Sequence, residues 1–472
     1  MAENNNPKPH YLGVFVLAMM NVAIVMNLRG LPMMAKEGLS MIFYLLFAAF
    51  IFLIPVALVS AELATGWSDG GGVFRWVKEA FGGRMGFLAI WLQWIQNVIW
   101  YPTVLAFVAA ALSYMFLDPA LATNKIYNIA IILLAFWGAT LLNFRGIKTS
   151  GWVTTVCVMG GTIFPGAVII ILGLIWWLTG KPIAFTGTHQ SIIPNLSNFT
   201  NISFLAGIVL LFAGMEVSAV HAREVKNPNK DFPKAIFLAV IIILTIFTFS
   251  SLAIAAVLPA GKISLTAGIM QAFKDMLNQF HMGWLVPIMC FLVAFGALGS
   301  VTAWIVGPSK GLLSTAQDGD LPPFLQYTNN QGVPVHILIL QALIVTVLSL
   351  VYLLMPTVSS AFFLLTALTA ILYLIMYLML FAAAITLRYT KPDVPRAYKV
   401  PGGNFGMWVI SAVGILGALF AIVVGFFPPA QLTVGSPAFY VWFLIIGILL
   451  FTLSPIIIYQ LRKPGWQNKT QN

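Results

Sequence analysis

Four ionisable residues lie within long apolar runs or at their ends, and these are the places where the chain can do chemistry. Glu216 sits near the middle of the sixth run and Arg29 inside the first. Glu62 stands at one end of the second run, and His221 near the end of the sixth. Charge at membrane depth is expensive and usually functional. Arg29 and Glu216 also coincide with weak points in their helices. Arg29 lies in Asn27-Leu28-Arg29-Gly30-Leu31-Pro32, where a Gly and a Pro stand two apart, and Glu216 follows Ala213-Gly214-Met215. Both residue types loosen helical hydrogen bonding. An opened helix frees backbone N–H groups and turns a positive dipole end toward an anion, and its freed carbonyls suit an ammonium group. A small zwitterion, as every amino acid is, offers both charges. The carboxylate then meets Arg29, Gly30 and Leu31, and the amine meets backbone carbonyls near Gly214. Glu216 either pairs with Arg29 or holds a proton or a substrate cation. Arg29 is close enough to the outer end of its run to snorkel instead. His221 reads as a structural residue near the inner surface, and Glu62 as an anchor for an inner loop.

Further polar side chains can line a cavity. Gln93, Gln96, Asn97 and Trp100 share one face of the third run by their spacing of three and four. The eighth run carries Ser300, Thr302 and Trp304, and the tenth carries Tyr373 and Tyr377. Trp and Tyr usually belong to interfacial belts, but Trp304 lies away from the outer interface. Ser300 and Thr302 could instead offer oxygens to a sodium ion. Nothing resembles an enzyme: no nucleophile–base pair and no Walker sequence is present, and the five histidines form no metal-binding spacing. Cys157 and Cys290 read as small buried residues. No cofactor and no metal site is expected.

These residues need elements to hold them, and composition says which. Of 472 residues 60% are hydrophobic and 8% charged, far from the roughly 25% charged of soluble domains. The reading is an all-α polytopic membrane protein with lipid as its main solvent. Twelve apolar runs are expected as transmembrane helices: 11–35, 40–63, 86–117, 126–144, 151–180, 202–222, 235–259, 283–309, 335–356, 359–387, 404–428 and 437–461. Several exceed the length needed to cross, which implies tilt or extension past the membrane. Residues 72–82 and 263–280 read as amphipathic surface helices. The net charge of +11 is a matter of topology, not of nucleic-acid binding. With the N-terminus inside, 18 of the 24 Lys and Arg residues fall on inner segments and five on outer ones. Both termini are therefore expected in the cytoplasm. Residues 1–10 form an N-terminal segment, 11–461 one transporter-like domain and 462–472 a short tail. The first run is expected to be a retained helix, not a signal peptide. Broken helices one and six occupy equivalent places in a five-plus-five inverted repeat over about 11–180 and 202–387, with two more helices at 404–461.

Four segments carry a family resemblance. AGMEVSAVHAREVKNPNKDFPKA (213–235) is similar to the helix-six signature of the glutamate/γ-aminobutyrate antiporter family, within the amino acid–polyamine–organocation superfamily. WIVGPSKGLLSTAQDGDLPP (304–323), GGVFRWVKEAFG (71–82) and VPRAYKVPGG (394–403) resemble further family segments. The resemblance implies a LeuT-like fold with substrate between helices one, three, six, eight and ten. It also implies amino acid exchange across the inner membrane, often in acid resistance. It places Glu216, Trp304 and Tyr377 at the substrate with Tyr373 close by, and gives Gly214 and Met215 as helix-six backbone. Three positions depart from the family: Leu28-Arg29-Gly30-Leu31 replaces aromatic and acidic residues, Ser300 stands at an acidic position and Thr155 at a basic one. The family's long, basic, His-containing C-terminal plug has no counterpart in 462–472.

The expectation is an amino acid antiporter of the inner (plasma) membrane, working by alternating access, with glutamate- and γ-aminobutyrate-like amino acids as candidate substrates. Its partners are those substrates and the lipid bilayer, with no nucleic acid and no obligate protein partner. A proton- or sodium-coupled symporter on the same fold is the first alternative, and a non-transporting sensor or channel the second.

Overall fold

The structure is a computed structural model that describes residues 13–67, 72–145, 156–157, 159–184, 191–218 and 227–466. His10, His189, His221, Thr155, the segment 1–10 and the end of the tail lie outside the described residues. Among the described residues, ten helices are long and apolar enough to cross a membrane. Two further apolar stretches, at the first and sixth expected positions, are interrupted.

The first stretch consists of α1 (Val14–Val25) and α2 (Leu31–Ala35), joined by extended residues and a tight turn at Leu28–Gly30. Then come α3 (Ser40–Gly66), α4 (Gly72–Phe81), α5 (Gly83–Met115), α6 (Lys125–Phe144) and α7 (Met159–Leu178). The second interrupted stretch holds α8 (Phe204–Leu211) and α9 (Met215–Ser218). The chain continues through α10 (Pro228–Val257), α11 (Gly268–Gln279), α12 (Val286–Gln317) and α13 (Val335–Leu354). It closes with α14 (Val358–Thr390), α15 (Gly403–Gly425) and α16 (Pro437–Gln460).

The apolar runs become helices because in lipid each backbone N–H and C=O must be satisfied within the segment. Local chemistry then shapes them. Wide π turns at Ala49–Leu53 and Met159–Ile163 lie just before Pro55 and Pro165. Proline has no N–H and its ring crowds the preceding turn, so an extra residue relieves the clash. α5 and α14 each run 33 residues, about 50 Å at 1.5 Å per residue, and overrun a hydrocarbon core of about 30 Å. α12 continues to Gln317, two turns beyond the expected end at 309. The sequence marks the end of hydropathy there, not the end of the helix.

α5 is the central rod. Its most apolar window is 83% buried, against 17% for α16, so α5 faces protein and α16 mostly faces outward. α12 and α14 pack most extensively on it. The two amphipathic segments are helices, α4 and α11, which bury Phe74 and Trp76, and Phe273 and Met276, respectively. Both cysteines are buried and unpaired. The described start of the tail is tied to the loop after α12: Arg462 pairs with Asp320 at 3.2 Å, and Gln326 Nε2 donates to the Trp466 carbonyl at 2.6 Å.

Candidate functional site

The site begins where the first interrupted stretch opens. Met26 and Asn27 are extended, with ψ of 113° and 123°. The Asn27 side chain then accepts the Arg29 N–H at 2.9 Å and caps the turn Leu28–Gly30. This corrects the expectation that Gly30 and Pro32 form the break. Pro32 lies in the first turn of α2, where a missing N–H costs nothing, so it starts the second half-helix and does not interrupt one. Gly30 packs closely against the Leu211 side chain of α8, which a methyl group there would have to displace.

The second opening is at Phe212–Gly214. Gly214 has φ of +113°, a conformation closed to residues with a Cβ. Its N–H donates to the Tyr377 hydroxyl at 2.8 Å. That hydroxyl donates in turn to Glu216 Oε2 at 2.5 Å, and the Tyr373 hydroxyl donates to Oε1 at 2.5 Å. Gln93 Nε2 adds a third side-chain donor to Oε1 at 3.4 Å. Glu216 is 2% exposed, and its carboxylate is held by neutral donors from α5 and α14.

Arg29 is equally enclosed at 3% exposure and does not snorkel. Its Nη1 donates to Thr103 Oγ1 at 3.0 Å and to Thr366 Oγ1 at 3.3 Å. The guanidinium carbon lies 5.9 Å from the Trp100 ring centre and 5.2 Å from that of Phe362, within cation–π range. The arrangement in which Arg29 and Glu216 pair with each other is not found: among the described residues no ion pair joins them.

Between the two openings lies a cavity of about 60 Å³. Arg29 lines it from the first stretch together with Val25, Met26 and Asn27. α5 contributes Gln96, Asn97 and Trp100, and the second opening contributes Leu210, Leu211 and Ala213. Ser300 and Trp304 face it from α12, and Tyr373 from α14. Trp304 stands edge-on to Trp100 at 6.5 Å. These walls come from the five helices that the resemblance names. Gly214, Glu216 and Tyr377 form the next row outward, joined to the wall through Tyr373. Gly30, Leu31 and Met215 are buried in packing and do not line the cavity. Thr302 does not line it either, and its hydroxyl donates to the Leu298 carbonyl at 2.9 Å.

Sequence reasoning missed Thr103, Thr366 and Phe362. A signal for them existed. Thr103 continues the stripe of Gln96 and Trp100, and Thr366 lies seven residues before Tyr373 on the stripe that ends at Tyr377. A threonine in an apolar helix usually bonds only to its own backbone, which hides the signal.

Glu62 holds the loop that follows α14. Arg388 grips its carboxylate through Nε and Nη2, both at 2.5 Å, and the Val400 N–H donates to Oε2 at 2.7 Å. Arg396 Nε lies 3.7 Å from Oε1. Burial lowers the pKa of Arg396, with Glu62 pulling the other way.

Comparison with known proteins shows the family. The amino acid permease family profile matches residues 11–451. The chain is 45% identical to an uncharacterized transporter of Legionella pneumophila, over 95% of this chain and 97% of that protein. It is 33% identical to a glutamate/γ-aminobutyrate antiporter of Lactococcus lactis, over 97% and 91%. A probable agmatine/putrescine antiporter of the same species is 25% identical over 85% of each chain. Fold and relatives together define the class: a multi-pass membrane transporter rather than an enzyme. The chain belongs to the amino acid permease family, and amino acid transport is its function at that level.

Proposed function

We propose that this protein is an amino acid exchanger of the inner (plasma) membrane that works by alternating access, on substrates of the glutamate/γ-aminobutyrate type. The observation that carries the reading is the cavity at two helix openings, with the Arg29 guanidinium on its wall and, among the described residues, no carboxylate lining it. Such a wall favours a substrate carboxylate, which Arg29 can grip at two points. Backbone carbonyls at the two openings suit the amine. Trp304 and Tyr373 close over the substrate, with Tyr377 and Glu216 behind them.

In this reading the two interrupted stretches complete twelve crossings in a five-plus-five inverted repeat, 11–180 and 202–387, with α15 and α16 outside it. Both termini are cytoplasmic, which the distribution of Lys and Arg supports. That the 33% identical relative is a glutamate/γ-aminobutyrate antiporter supports exchange over symport.

Liposomes holding the purified protein and loaded with single unlabelled amino acids test this. Uptake of labelled glutamate should depend on an internal amino acid, and Arg29→Ala should raise its KM at least tenfold, the scale of one lost charge-assisted bond. No exchange with any amino acid would sink the proposal. Uptake that needs only an ion gradient would assign symport instead.

A further inference from the structure

Arg29 is a buried cation with an unusual set of partners. Its two acceptors are neutral hydroxyls on two other helices, Thr103 on α5 and Thr366 on α14. Each hydroxyl spends its own proton on a backbone carbonyl, Thr103 on Trp100 at 2.6 Å and Thr366 on Phe362 at 2.7 Å. Their lone pairs are thereby fixed toward the guanidinium, so both act as dedicated acceptors. The Arg29 Nε is buried and has no partner. Glu216 does not pair with it among the described residues; that carboxylate is held by Tyr373, Tyr377 and Gln93.

We propose that the Thr103–Arg29–Thr366 bridge locks the substrate-free carrier and so makes exchange obligatory. The inference rests on the exchange reading above and supplies its cause. The bridge ties the opening between α1 and α2 to α5 and α14. Any reorientation that shifts the first stretch against those helices strips Arg29 of both acceptors. With the cavity empty nothing replaces them, and a buried cation is left without partners, which is strongly unfavourable. A bound carboxylate changes the balance. It enters the cavity that Arg29 lines, neutralises the guanidinium and travels with it, so the threonines can be released. Substrate thus binds the moving state more tightly than the locked one, which is the condition for a ligand to drive a transition.

The test compares two fluxes in the same proteoliposomes: exchange of labelled against unlabelled substrate, and net efflux into substrate-free medium. In the wild type, exchange should far exceed net efflux. In the double variant Thr103→Val/Thr366→Val, the ratio of net efflux to exchange should rise about tenfold, the scale of one charge-assisted hydrogen bond. Thr103→Ser/Thr366→Ser keeps both acceptors and should return the wild-type ratio. If the valine variant does not fold, Arg29→Gln read at saturating substrate should show the same rise. A folded valine or glutamine variant with the wild-type ratio overturns the lock while leaving exchange intact. Wild-type net efflux as fast as exchange also overturns it. No movement of any amino acid by the wild type brings down the exchange reading and the lock together.

Discussion

At the scale of the residue, Tyr377 and Tyr373 look alike but carry different loads. Tyr373 gives Glu216 one hydrogen bond. Tyr377 gives Glu216 another and also accepts the Gly214 N–H. Removing the Tyr377 hydroxyl therefore leaves a buried backbone donor unpaired as well as weakening the carboxylate. An orphaned buried donor costs about 1–3 kcal/mol. Tyr377→Phe should lower the melting temperature in detergent more than Tyr373→Phe, and equal losses would show that the Gly214 contact contributes nothing. The sequence made Tyr373, Tyr377 and Glu216 visible because polar groups are conspicuous in apolar helices. Spacing gave their faces but not their depth, so it did not separate Tyr373 on the cavity wall from Tyr377 one row behind.

At the scale of the element, α3 and α14 are joined at one end by Glu62 and Arg388. The same carboxylate takes the Val400 N–H, so the loop after α14 folds back onto both helices. Arg396 adds to the clamp by lying over the Trp67 ring at 5.2 Å and donating to the Leu387 carbonyl at 2.8 Å. Breaking a buried ion pair from one side costs about 3–5 kcal/mol. Arg388→Ala should destabilise the protein by that amount in thermal melts, and a loss under about 1 kcal/mol would show that the pair holds nothing together. The sequence displayed these elements well, because a run of twenty apolar residues has few alternatives in lipid. It misplaced the first opening because Gly30 and Pro32 look like breakers. In the fold Pro32 begins a half-helix and Gly30 serves close packing, while Asn27 makes the turn through a side-chain cap that hydropathy does not register.

At the scale of the whole molecule, the turn between α2 and α3 is where distant loops meet. Lys36 Nζ donates to the Ala260 carbonyl at 3.0 Å, and Gln431 Nε2 donates to Glu37 Oε1 at 2.7 Å. Tyr44 and Ser40 pack around the same carboxyl. Burial pushes Glu37 up to about 8, against smaller downward pulls from Ser40 and Lys36. The folded state thus holds this proton more tightly than the unfolded chain, where the group has its ordinary value of 4.5. The stabilisation is complete below 4.5 and is lost as pH rises through about 8. The melting temperature should fall between about pH 5 and about pH 9, and Glu37→Gln should flatten that slope. An unchanged slope in the variant would clear Glu37 of the effect. The opening at Gly214 also has a meaning for the molecule as a mechanical object. A gap in a helix is commonly taken for a hinge, a place that absorbs strain. Here the gap is pinned through Tyr377 to α14 on one side and through Glu216 to α9 on the other. It is a corner brace, and displacement arriving along α14 is transmitted through it to both half-helices at once.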